Sequence, residues 1–187
     1  MSFETFGFLA VMYGVILSLG IAALLAAMGA MLRSFSSGRP YWVYASWVGL
    51  QLVLYLHVWW NLWGLQQAVA DWNFFLFIML LLGPAALFLS TQVLLFEPSS
   101  GTDTREHYFT VHRIFFALVA TVVAWELAAG PLFFGAPAPE MALQIAVLIV
   151  LVALIVSKRP ALHGWLAIAS WVLFVVGVVS DGLHLGA

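Results

Sequence analysis

Four ionisable side chains, His57, Glu126, Asp181 and His184, stand inside long apolar stretches of this chain, together with the neutral polar residues Gln51, Asn61, Gln92 and Gln144. A charged group placed in hydrocarbon costs about 2.5–3.5 kcal/mol on insertion scales, so each needs a partner or a task. A carboxylate beside an imidazole can relay a proton, hold a cation or act in general acid–base chemistry. Glu126 is the most informative of the four. It lies between Trp125 and Leu127, and its short stem cannot snorkel to water as a lysine does.

Depth and face bring these residues into register. His57 is 16 residues beyond Tyr41, and Glu126 is 16 beyond Thr110, which places both about 24 Å along their helices at 1.5 Å per residue. Asp181, 19 residues beyond Leu162, stands about 28 Å along, with His184 one turn further. Helical spacing groups Ser46, Val53, His57, Asn61 and Gly64 on one face. A second face holds His112, Phe115, Val119, Val122, Glu126 and Gly130, and a third Ser170, Phe174, Gly177 and Asp181; each mixes small and polar residues, as suits an inward face. Where these faces meet, His57, Asn61, Glu126 and Asp181 form one proton-handling polar cluster. His112 shares the Glu126 face but lies 14 residues away, about 21 Å. No ionisable group fills that gap on the same face, so the face by itself is not a proton wire.

Other chemistries fit less well. His57, Glu126, Asp181 and His184 are suitable donors for zinc or manganese, yet none has an HxxxH or HExxH spacing. His57 and His184 lie at similar depth, as two haem ligands would, but nothing else points to haem. No cofactor is predicted. No nucleophile motif, Gly-rich phosphate loop or G-x-S-x-G element is present, and no catalytic residue is assigned. Zero cysteines exclude disulfides, thiolate metal sites and iron–sulfur clusters. In the segment Leu56–Trp63, Trp60 lies nearest the His57 face, as core packing or as the wall of a cation–π pocket.

The elements that position these groups are transmembrane helices. Hydrophobic residues make up 65% of the 187 positions and charged ones 7%, against roughly a quarter charged in a soluble domain. Mean hydropathy is +1.09. Six stretches reach the length of a membrane span: about 6–32, 42–66, 72–96, 109–134, 140–157 and 162–184. The fold class is therefore an all-α polytopic bundle, one six-helix domain over 1–187. Barrel strands would alternate apolar and polar residues, and these runs do not. The amino terminus lacks a positive leader and reads as part of a retained first span.

All six basic residues, Arg33, Arg39, Arg105, Arg113, Lys158 and Arg159, fall in or beside alternate loops, whereas the other side carries Glu4, Asp71 and Glu140. The positive-inside pattern puts the basic loops in the cytoplasm and both termini outside or in the periplasm, in an inner (plasma) membrane. Tyr41, Trp42, Tyr44, Trp72 and Tyr108 are expected at the interfaces as anchors. The collar Arg105-Glu106-His107-Tyr108 with His112-Arg113 is expected to meet headgroups. Three spans in each half permit an inverted repeat, although the halves show no convincing similarity.

Ala10, Gly14, Ser18, Ala22, Ala26 and Ala30 make a small-residue stripe along the first helix, suited to close packing on a neighbour in the chain or on a second copy. Gly83-Pro84 is expected to kink the third helix. No loop has room for a soluble domain. The leading functional expectation is conduction or transport of protons or a small cation through the cluster in the outer half. The alternatives are an accessory, oligomer-forming subunit of a larger membrane complex, and an intramembrane metal- or haem-binding enzyme. The expected partners are the lipid bilayer and a homo-oligomer or larger complex. A net charge of -2 gives no reason to expect nucleic acid.

Overall fold

Apolar runs punctuated by Gly, Pro and Ser fold into six helices. The computed structural model describes residues 3–33, 40–68, 74–95, 103–129 and 138–180. The helices are α1 Phe3–Arg33, α2 Trp42–Ala68, α3 Phe74–Leu94, α4 Thr104–Ala129, α5 Ala138–Val156 and α6 Pro160–Ser180. The all-helical expectation is met, and the ends fall close to those read from hydropathy.

The largest difference is at α4, which begins five residues before its apolar stretch. Asp103 is the cause: its carboxylate accepts from the Arg105 amide at 2.8 Å, and its carbonyl accepts from the His107 amide at 3.0 Å, the two bonds of an N-cap. Hydropathy marks the lipid-compatible part of a helix, and the charged first turn lies outside that part. At α6 the His163 amide donates to the Arg159 carbonyl at 3.1 Å. Pro160 thereby takes the first helical position, where its missing N–H costs nothing.

Four helices, Ala10–Arg33, Phe74–Leu94, Thr104–Ala128 and Pro160–Ser180, are long and apolar enough to cross a membrane. The apolar stretch of α5, Met141–Val156, is shorter, and α2 is diluted by its Trp, Tyr, Gln, His and Asn residues. Outward-facing side chains are as apolar as those of the interior: Phe74, Ile149, Val156, Trp165 and Val179 are each more than 60% exposed. Apolar on every side, such helices suggest a membrane-spanning protein.

The helices form a closed ring. In spatial order α2 packs on α1, α1 on α3, α3 on α4, α4 on α5, α5 on α6, and α6 again on α2, while α2 and α4 meet across the middle. One end collects the start of α2, α4 and α6 and the ends of α3 and α5. It carries Arg105, Arg113, Lys158 and Arg159 and is termed the basic end. The Tyr41 amide donates to the Thr104 hydroxyl there at 2.7 Å, and the His107 ring donates to the Leu94 carbonyl at 2.9 Å.

Two packing expectations change. Tyr44 and Tyr108, read as interface anchors, are 2% and 0% exposed and belong to the core. On α1 the buried face is Tyr13, Leu17, Gly20 and Leu24, whereas Ser18, Ala22 and Ala26 of the small-residue stripe are exposed. A Cβ on Gly20 would overlap the Tyr55 ring, so Gly20 sets the α1–α2 approach. Gly14 of the stripe does meet a large partner, the edge of Trp59. Helix α3 runs as one element through Pro84, and a Cβ on Gly83 would sit 3.2 Å from Trp125, so this glycine seats an indole of α4.

Candidate functional site

Buried polar groups occupy the interior in three tiers, beginning at the basic end. Tyr108 and His112 stand one turn apart on α4, and His163 enters opposite them from the first turn of α6. The Tyr108 hydroxyl donates to His163 Nδ1 at 2.7 Å, and His163 Nε2 contacts the Ser157 carbonyl at 2.9 Å. A carbonyl only accepts, so Nε2 carries the ring proton and Nδ1 the lone pair. His112 Nδ1 likewise donates to the Phe109 carbonyl at 2.7 Å. That leaves Nε2 as a lone pair, buried and without a hydrogen-bond partner among the described residues.

His112 and His163 are 1% and 0% exposed, with ring centroids 5.4 Å apart at 77°. His112 also approaches the Ser157 carbonyl without completing a hydrogen bond at Nε2. A proton arriving at Nε2 would find that carbonyl as an acceptor. Just outside, the Arg105 guanidinium lies 5.9 Å from the Tyr41 ring centroid. Burial pushes the Tyr41 phenol up, Arg105 opposes the shift, and the phenol stays neutral at physiological pH.

The middle tier hangs on α2, where Trp47, Gln51 and Tyr55 recur every four residues. Trp47 packs edge-on against Phe115 and Phe116 at 5.8 and 4.8 Å. Its indole N–H approaches the Tyr108 hydroxyl but completes no hydrogen bond. The Gln51 amide donates to the Ser90 hydroxyl at 2.8 Å, while its carbonyl Oε1 is buried without a partner among the described residues. Ser90 and Thr91 both donate to the Leu87 carbonyl, at 2.7 and 3.1 Å. The Thr91 proton is thus committed, and the Tyr55 hydroxyl, 3.0 Å away, is the donor between those two.

At the far end stand residues singled out from the sequence. Glu126 lies on the buried face of α4 and acts electrostatically on the Tyr13 hydroxyl of α1, itself 6% exposed. The Asn61 amide donates to His57 Nε2 at 3.1 Å, and the His57 ring meets Phe174 of α6 edge-on at 5.7 Å. One turn of aromatic contact below, the Trp171 indole donates to the Ser46 hydroxyl at 2.9 Å. The Ser46–His57 face of α2 therefore meets the Ser170–Phe174 face of α6. Asp181 and His184 lie outside the described residues.

This placement corrects one expectation. The inward face of α2 is Tyr44, Trp47, Gln51, Tyr55 and Leu62, not the small polar stripe through His57, and Asn61 is exposed. Aromatic rings bury 150–250 Å² each and dominate which face turns inward; the small polar residues are left for the seam with α6. Trp60 is 46% exposed. Among the described residues no group of three or more His, Asp or Glu is placed to share a metal ion.

His163 and Tyr13 were not legible as site residues. His163 follows Lys158-Arg159-Pro160 so closely that it reads as interfacial, and a tyrosine within an apolar run carries no charge to flag it. The available signal was spacing: His163 lies three residues after Pro160, hence in a first helical turn that faces the loop carbonyls. No protein-family model matches the chain, and no curated protein or solved structure matches it either.

Proposed function

We propose that this chain spans the plasma membrane six times, with its basic loops in the cytoplasm, and passes protons through the interior of the helix ring. Glu126 and Tyr13 serve the outer end, Gln51 with Trp47 the middle, and His112 with His163 the cytoplasmic end. Three buried polar atoms without a hydrogen-bond partner among the described residues, Trp47 Nε1, Gln51 Oε1 and His112 Nε2, carry this reading. Each costs about 1–3 kcal/mol if it stays dry. A file of water exchanging protons satisfies all three, because it supplies an acceptor to the indole and donors to the other two. The ionisable groups missing from the α4 face are replaced, on this reading, by neutral polar groups of α2 and α3.

Flux into proteoliposomes containing a trapped pH dye, under an imposed potential, tests the proposal. Gln51→Leu and Glu126→Gln are each expected to slow proton entry about tenfold or more, an added barrier of about 1.4 kcal/mol, with helicity retained. Entry at the rate of empty liposomes, or unchanged entry in both variants, overturns it. Flux that follows Na⁺ or K⁺ instead would make a small cation the transported species.

A second reading, a subunit that contacts another copy or a larger complex, rests on the exposed Ser18, Ala22 and Ala26 of α1. The chain has no cysteine, so Ala22→Cys gives a single-site cross-linking test in membranes. A disulfide-linked dimer supports this reading, and a monomer at every expression level removes it.

A further inference from the structure

At the basic end the starts of α2, α4 and α6 border an open cavity of about 390 Å³, lined by Tyr41, Trp42, Arg105, Ala161, Trp165 and Ile168. That volume lies within the about 300–1,000 Å³ typical of small-ligand sites. Its walls are of two kinds. Arg105 supplies a guanidinium held over the Tyr41 ring, and Lys158 and Arg159 stand exposed next to Pro160, another lining residue. Of the nearby acids, Asp103 is engaged by the Arg105 amide, and Glu106 is exposed on the following residue. The remaining walls are apolar and open: Trp42, Trp165 and Ile168 are 53%, 71% and 49% exposed.

Gly164 lets Trp42 lie across the first turns of α6, since a Cβ there would come within 2.9 Å of the indole. From the mouth, Trp165, Ile168, Val172, Val175 and Val179 continue up one exposed face of α6. Trp165 to Val179 covers about 21 Å at the helical rise, more than the about 15 Å of one leaflet's hydrocarbon. A cationic pocket at the foot of an apolar track has the shape of an anionic amphiphile.

We infer that this cavity binds one anionic phospholipid, its phosphate on Arg105, its headgroup towards Lys158 and Arg159, and an acyl chain along α6. A soluble anion would use the guanidinium and leave the track uncovered; a zwitterionic lipid would leave the excess positive charge unmatched. The inference shares the membrane reading made above but does not depend on proton passage. In the proposed orientation the site faces the cytoplasmic leaflet.

The test is native mass spectrometry of the full chain with equimolar phosphatidylglycerol and phosphatidylcholine. Wild type is expected to retain one phosphatidylglycerol with about tenfold preference, the scale of one charge-assisted hydrogen bond. Arg105→Gln should abolish the preference, Arg105→Lys should keep part of it, and Ala161→Trp should lower retention of both lipids by filling the pocket. In wild-type proteoliposomes, brominated phosphatidylglycerol should quench indole fluorescence more than brominated phosphatidylcholine, and Trp165→Phe should remove most of that difference. Equal retention of the two lipids by wild type, or a preference surviving Arg105→Gln, overturns the inference. So does thermal protection by glycerol 3-phosphate equal to that by phosphatidylglycerol, which would make the pocket a site for soluble phosphate.

Discussion

The Tyr108 hydroxyl and the Ser157 carbonyl hold the His163 ring from both sides and fix its tautomer. Tyr108→Phe removes the donor and leaves His163 Nδ1 as a buried acceptor without its bond, a loss of about 1–2 kcal/mol. A lower unfolding midpoint in detergent is the expected result; an unchanged midpoint would mean that water reaches Nδ1 and takes the place of the hydroxyl. Gln51→Leu should behave differently. It removes an Oε1 that has no partner among the described residues, and Ser90 keeps its bond to the Leu87 carbonyl. Its stability should remain within about 0.5 kcal/mol of wild type, measurable in the same melts, and a larger loss would show that the Gln51–Ser90 bond holds α2 to α3. This contrast separates the flux test from a folding defect. Tyr108 itself was legible only as a tyrosine beside a charged collar. Its burial depends on His163, 55 residues away, and no local pattern announces such a pair.

Helices α1 and α2 show what periodicity reveals and what it leaves out. Six helices and their approximate ends follow from runs of apolar residues, because the hydrocarbon sets a minimum length and loops need Gly, Pro and polar residues. Which face packs is harder to read, since lipid and protein interior are equally apolar and hydropathy no longer distinguishes inside from outside. On α4 the face through His112, Val119 and Val122 is buried as its polar content suggested. On α1 small residues recur on the stripe through Ala22, but the bulk of Tyr55 selects the face through Gly20. Gly20→Ala should therefore destabilise by about 1–3 kcal/mol through overpacking, whereas Ala22→Leu, on the exposed face, should cost less than about 0.5 kcal/mol. Melts of the two variants side by side decide the matter. The reverse order would restore the small-residue stripe as the packing face.

Across the whole molecule the charges and the helix directions agree. Every even-numbered helix starts at the basic end and brings its positive dipole end there, while α3 and α5 end on the same side and bring negative dipole ends, with Lys158 and Arg159 just beyond α5. Dipole ends of both signs meet there and largely offset one another, so they do not account for the basic residues; retention of basic loops on the cytoplasmic side of a membrane during insertion would. That account makes a prediction about loops rather than about the core. Because the chain has no cysteine, single cysteines can report the side on which each loop lies. Asp71→Cys should react with an impermeant maleimide in intact spheroplasts, and Lys158→Cys only after the membrane is opened. Arg33→Ala with Arg39→Ala and Asp71→Lys reverses the local bias around α2, and should raise the fraction of chains whose Lys158→Cys labels from outside. Orientation that survives those three changes would mean that the basic residues do not set the topology. The cluster of basic residues would then need another cause, and anionic headgroups gathered at Arg105 would supply one.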